Sequence, residues 1–137
     1  FSIIWELGEE KGGRNADARL IYLPYLIESG KLREAKLLAD LIIGENLDPF
    51  YHAQAFYSIG LIRYEQSFYV EAIKEFKKLS VLFPDYGELL SDGAYYSILS
   101  YLKIGAREEA NMLFLDSAEI LSEEHKESLS EMLGEER

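Results

Sequence analysis

The chain has no cysteine, only three prolines, one tryptophan and two histidines in 137 residues, and it carries 14 basic side chains against 25 acidic ones. Each shortage excludes something. Without cysteine there is no disulfide, no thiolate nucleophile and no Cys-based zinc or iron–sulfur site, while the compartment stays open between cytosol and periplasm. With a formal charge of −11 and a pI near 4.6, the surface repels phosphate backbones and anionic lipid, so nucleic acid is not an expected partner. No apolar run reaches the roughly 18 residues of a bilayer span, so direct membrane insertion is not expected. The two histidines, His52 and His125, lie far apart and outside any H-E-x-x-H spacing, so both are read as ordinary residues and no metal or cofactor is expected. There is no G-x-S-x-G elbow and no phosphate-cradling loop. Neighbouring acids such as Glu108 and Glu109 point in different directions on a helix, and the chain is not expected to be an enzyme.

What is present is helical periodicity. A hydrophobic content of 48% over this length suits one globular domain covering residues 1–137. The opening segment FSIIWEL is apolar and stops at Gly8, as the last turns of a helix or a short strand would. The chain starts at Phe1 rather than Met and shows no signal segment, which fits a processed protein or a piece of a longer one. From about Asn15 to Glu28 the pattern predicts a helix, with Pro24 expected to kink it or break it in two. After the Ser29–Gly30 turn, Leu32, Ala35, Leu38, Ala39, Ile42 and Ile43 recur at three- and four-residue steps and predict a second helix ending at Gly44. The stretch from Ala53 to Tyr86 repeats this plan, and so does the stretch from Ser91 through the Gly105 turn to Ala118. Leu129, Met132 and Leu133 place a last amphipathic helix over about 123–133.

Within the second copy, Gly60 is small, Ala72 opens the core face of the next helix, Phe76 follows one turn later, and Pro84 ends the unit. Ala72 recurs as Ala35 and Ala110, at steps of 37 and 38 residues. In this pattern the chain resembles the tetratricopeptide repeat (TPR) family, whose period is about 34 residues. The surplus falls in linkers near 46–51 and 86–90. The other copies depart from the pattern, with Leu23 and Ile98 in place of Gly60, and Ala39 in place of Phe76. The longer linkers are similar to those of bacterial cell-envelope assembly repeats, which favours periplasm or cell envelope over cytoplasm.

The resemblance implies an all-α fold: a right-handed superhelix of three TPR-like hairpins, about 16–49, 53–86 and 91–122, closed by a C-terminal capping helix. It implies a concave wall built from the first helix of each hairpin. The family's groove positions fall on Leu20 and Ile27, on Tyr57, Leu61 and Tyr64, and on Tyr95, Leu99 and Leu102, flanked by Asp17, Glu28, Glu65 and Asp92. The residues by which one TPR subclass grips carboxylate tails are missing, since Leu20, Pro24, Ser58, Asp92 and Tyr96 stand at those positions. The implied role is a non-enzymatic protein–protein interaction scaffold that docks a peptide or helix of a partner in the groove. The other implied role is a structural or oligomerisation domain, its groove filled by another subunit or by its own terminus. Tyrosines on such a wall offer wide contact and a hydrogen-bonding tip at small entropic cost. The acid excess serves solubility or recruits a basic partner.

Overall fold

The computed structural model describes residues 13–134, with side chains from Ala16 onward, and the segment FSIIWEL lies outside the described residues. Those residues form seven helices and no strand: α1 (Gly13–Glu28), α2 (Leu32–Gly44), α3 (Pro49–Glu65), α4 (Tyr69–Leu82), α5 (Gly87–Lys103), α6 (Arg107–Asp116) and α7 (Glu123–Gly134). The all-α expectation holds.

The first six helices pair into three hairpins, and all three turns are built the same way. Gly30, Ser67 and Gly105 adopt left-handed φ values of 77°, 66° and 78°. The next residue's N–H then reaches back over the helix end, from Lys31 to the Leu26 carbonyl (2.9 Å), from Phe68 to Arg63 (2.8 Å) and from Ala106 to Tyr101 (2.8 Å). This six-to-one bond closes a Schellman motif, which satisfies carbonyls that the ended helix would leave bare. The alanines open the following helices: the N–H groups of Ala35, Ala72 and Ala110 bond the carbonyls of Lys31, Phe68 and Ala106.

Pro24 does not break the first helix, which runs as one element through it. Proline removes the bond its N–H would give to the Leu20 carbonyl, but Pro24 is exposed, so water can replace the missing donor. α6 is shorter than expected, ending at Asp116, and a turn over 117–120 follows.

Packing follows the hairpin order. Each first helix packs on its own second helix and on the next first helix, while α2 packs on α3 and α4 on α5; α7 packs on α5. One core cluster joins Leu23 and Leu26 of α1, Ala35, Leu38, Ala39 and Ile42 of α2, and Ala55, Ile59 and Ile62 of α3. At the other end Ile98, Ala110, Leu121, Leu129 and Leu133 form a second cluster, so the last helix contributes to the core. Between these clusters the side chain of Phe76 is held by two glycines. A Cβ on Gly60 would lie 2.7 Å from its Cζ, and one on Gly93 would lie 3.3 Å from its Cδ1.

Polar clamps fix the ends. Arg19 is 2% exposed and makes a two-pronged pair with Glu45 just after α2, with Nη2 to Oε2 at 3.0 Å. His52 Nε2 lies 2.8 Å from the Glu45 carbonyl, and the Tyr51 hydroxyl donates to Asp17 at 2.8 Å, tying α3 to α1. Arg107 donates to the Leu133 carbonyl at 2.7 Å, which caps the C-terminal end of α7.

Candidate functional site

All eight side chains assigned to the concave wall lie on first helices and all are half-buried: Leu20 and Ile27 on α1, Tyr57, Leu61 and Tyr64 on α3, Tyr95, Leu99 and Leu102 on α5. Half-burial is what a contact wall supported from behind requires. The structure does not treat the eight alike. Leu20 and Ile27 pack against the cluster of the first hairpin. Leu99 and Leu102 pack, together with Tyr95, against the cluster that includes Leu129 and Leu133 of α7.

The tyrosines join into one aromatic row. Tyr64 meets Tyr69 edge-on at 5.5 Å and Tyr96 at 5.1 Å, Tyr96 meets Tyr95 at 5.2 Å, and Tyr57 lies 5.9 Å from Phe76, which itself stacks on Tyr96 at 6.3 Å. Offset and edge-to-face pairs at such separations stabilise by about 0.5–1.5 kcal/mol each beyond the area they bury. Tyr96 is therefore the hub of the row. It stood in the sequence only as a substitute at an absent clamp position, because its meeting with residues 32 positions earlier depends on the stacking of α3 against α5.

Burial, aided by the Asp92 carboxylate and Tyr96, holds the Tyr57 phenol far above the ordinary tyrosine range. The phenols of Tyr64 and Tyr96 are raised as well, chiefly by burial and then by neighbouring phenols and acids. Asp92 sits among them. Its carboxyl is raised by burial, lowered by His125 and raised by Glu88. At neutral pH the phenols of Tyr57, Tyr64 and Tyr96 are uncharged and hydroxyl-bearing, with two acids, Glu65 and Asp92, beside them.

His125 is not the isolated surface residue that its acidic neighbourhood suggests. Its ring stacks on Tyr95, with centroids 4.1 Å apart and planes at 12°, and its Nε2 lies 3.7 Å from Asp92 Oδ1. Its Nδ1 is 3.4 Å from Ser91 Oγ, which accepts the Ser122 N–H at 2.9 Å; the Ser122 hydroxyl in turn accepts the His125 N–H at 3.1 Å and so caps α7. Ser91, His125 and Asp92 match a hydrolytic triad in residue type alone. Ser91 is 5% exposed and already accepts a backbone bond, both side-chain distances exceed the 2.6–3.2 Å of working proton transfer, and the imidazole face is covered by Tyr95. The arrangement locks α7 onto α5. Among the described residues no group of three His, Cys, Asp or Glu is placed to hold a metal ion, and no helix there is long and apolar enough to cross a membrane.

A cleft of about 380 Å³ lies beside α5, lined by other residues than the eight assigned to the wall. It is floored by Gly93, Ala94 and Ser97 and walled by α4 and by the α6 end of the third hairpin, with Lys77 and Asp116 among its lining. Its sequence signal is the run of small residues on α5, which sits outside the marker positions of the repeat. Comparison of the chain with protein-family models, with curated proteins and with solved structures gives no match.

Proposed function

We propose that this chain is a non-enzymatic protein-interaction scaffold, three TPR-like hairpins stacked as a right-handed superhelix and closed by α7 as a cap, which docks a partner segment on the tyrosine-bearing wall. The observation that carries this reading is the group Tyr57, Tyr64 and Tyr96, half-buried phenols drawn from two successive first helices, with Tyr64 in edge-to-face contact with Tyr96. Rigid amphipathic rings lose little conformational entropy on binding and suit an extended peptide or an apolar helix face. The net charge of −11, with Glu65 and Asp92 beside the row, favours a segment with basic flanks around its apolar residues.

The second reading, a groove closed by its own terminus, is supported locally. His125 covers Tyr95, and α7 shares a core cluster against which Leu99 and Leu102 pack. The two readings divide the wall: Tyr95, Leu99 and Leu102 hold the cap, while Tyr57, Leu61 and Tyr64, with Leu20 and Ile27, face the partner. Selection from a displayed peptide library tests the division. Enriched peptides should carry aromatic or aliphatic anchors with Lys or Arg and lose at least about tenfold in affinity on Tyr57→Ala plus Tyr64→Ala, about 1.4 kcal/mol. Equal binding to wild type and variant would remove the wall from the account.

A further inference from the structure

Equivalent places in successive hairpins lie 37 and then 38 residues apart, as Gly30, Ser67 and Gly105 mark them. This register aligns Tyr25 with Ile62 and Ser100, and Ile21 with Ser58 and Tyr96. On α3 and α5 that face is covered by the preceding hairpin. Ile62 is fully buried in the cluster shared with Leu38 and Ile42 of α2, Ser100 is fully buried, and Tyr96 meets Tyr64 and Phe76. On α1 the same face is bare, with Ile21 78% and Tyr25 55% exposed.

We propose that this face of α1 is a docking surface and that its occupant is the segment Phe1–Leu7 of the same chain. The segment has the right chemistry, five apolar side chains in seven residues: Phe1, Ile3, Ile4, Trp5 and Leu7. It also has the right place. Gly8–Gly12 separates it from α1, as Glu45–Asp48 separates α2 from α3 and Phe83–Tyr86 separates α4 from α5. Phe1–Leu7 thus stands in the chain where the second helix of a preceding hairpin would stand, the element that covers the equivalent face on α3 and α5. Five connecting residues reach up to about 17 Å, more than the roughly 10 Å diameter of a helix. The proposal is independent of what the tyrosine row binds.

Trp5 is the sole tryptophan, so its fluorescence reads the segment directly. The full chain and an Ile21→Lys plus Tyr25→Lys variant are compared by emission maximum and acrylamide quenching, with far-UV circular dichroism as a check on folding and light scattering across a concentration series. The expected result is a monomer whose Trp5 emission is blue-shifted and quenched several-fold less than free tryptophan, and a variant that remains helical while Trp5 shifts to the red and quenches freely. If the double variant loses helicity, Ile21→Ser gives the same comparison with a gentler change. Solvent-like Trp5 in the wild type, or no change in the variant, overturns the proposal. So does a blue shift that develops only as the mass doubles, which would assign the face to a second copy.

Discussion

A Cβ placed on Gly60 would lie within 2.8 Å of three atoms of the Phe76 ring, so the crossing of α3 and α4 exists because position 60 has no side chain. The equivalent position in the first hairpin holds Leu23 and the equivalent of Phe76 is Ala39, both in one core cluster, so the large and small partners are exchanged there. In the third hairpin Ile98 faces a repeat position filled by Phe114, with no small residue on either side, and Phe114 stays half-buried.

This complementarity gives the first prediction. Gly60→Ala should destabilise the protein by about 1–2 kcal/mol, overpacking of about 1–3 kcal/mol being offset in part by the better helix propensity of alanine. In a Phe76→Leu background the same change should be neutral or stabilising. Urea denaturation of the four proteins in a double-mutant cycle supplies the coupling, and additive effects would show that the two residues do not share space.

The hairpin turns give the second. Ser67 adopts the left-handed conformation that glycine holds in the two sister turns. Outside glycine that conformation costs roughly 1–2 kcal/mol, while glycine also adds freedom to the unfolded chain. Ser67→Gly should therefore raise stability by up to about 1 kcal/mol, and Gly30→Ala and Gly105→Ala should each lower it by a similar amount. Thermal melts order the three variants; a lower melting temperature for Ser67→Gly contradicts the assignment.

Alkaline titration gives the third. Tyr57, Tyr64 and Tyr96 have raised phenol pKa values in the folded state, so below pH 10 both folded and unfolded forms keep the proton and the linkage is silent. Above pH 10 the unfolded chain releases these protons while the folded chain retains them, so stability falls as pH rises toward the folded values. Phenolate absorbance should therefore show a late-titrating class that coincides with loss of helix, and Tyr96→Phe should shrink it.

Asp92 works at the opposite end of the scale. Burial raises its folded pKa, so the stability it contributes is full below the ordinary carboxyl range and is lost as pH rises through the folded value. Asp92→Asn should flatten this part of the stability profile and raise stability at pH 7 relative to wild type, provided His125 keeps its stacking on Tyr95. A steeper profile in the variant would show that the His125 pair outweighs the burial.

How much of this could be read in advance differs from residue to residue. Gly30 and Gly105 mark their turns because glycine adopts positive φ freely, whereas Ser67 makes the same turn without that mark. Gly60, Ala72 and Phe76 are legible because they fall on a repeating register. Gly93, which touches the other side of Phe76, and Tyr96, which joins the rows of α3 and α5, are not packing markers of the repeat, and their contacts emerge only from tertiary packing. The local cost of Pro24 points to a kink or a break in α1; that the helix is not broken there goes with its exposed position, a property of the assembled hairpin. His125 stands in the sequence among Glu123, Glu124 and Glu127, and only the packing of α7 on α5 brings it to Tyr95.

The division of the wall between partner and cap is tested most directly by photocrosslinking from two positions. With a benzophenone amino acid at position 64, irradiation in an extract of the source cells should yield a covalent adduct to a different polypeptide. The same residue at position 102 should crosslink within its own chain, to a peptide of α7. An adduct from position 64 that joins two copies of this chain, or one that reaches α7, would contradict the account.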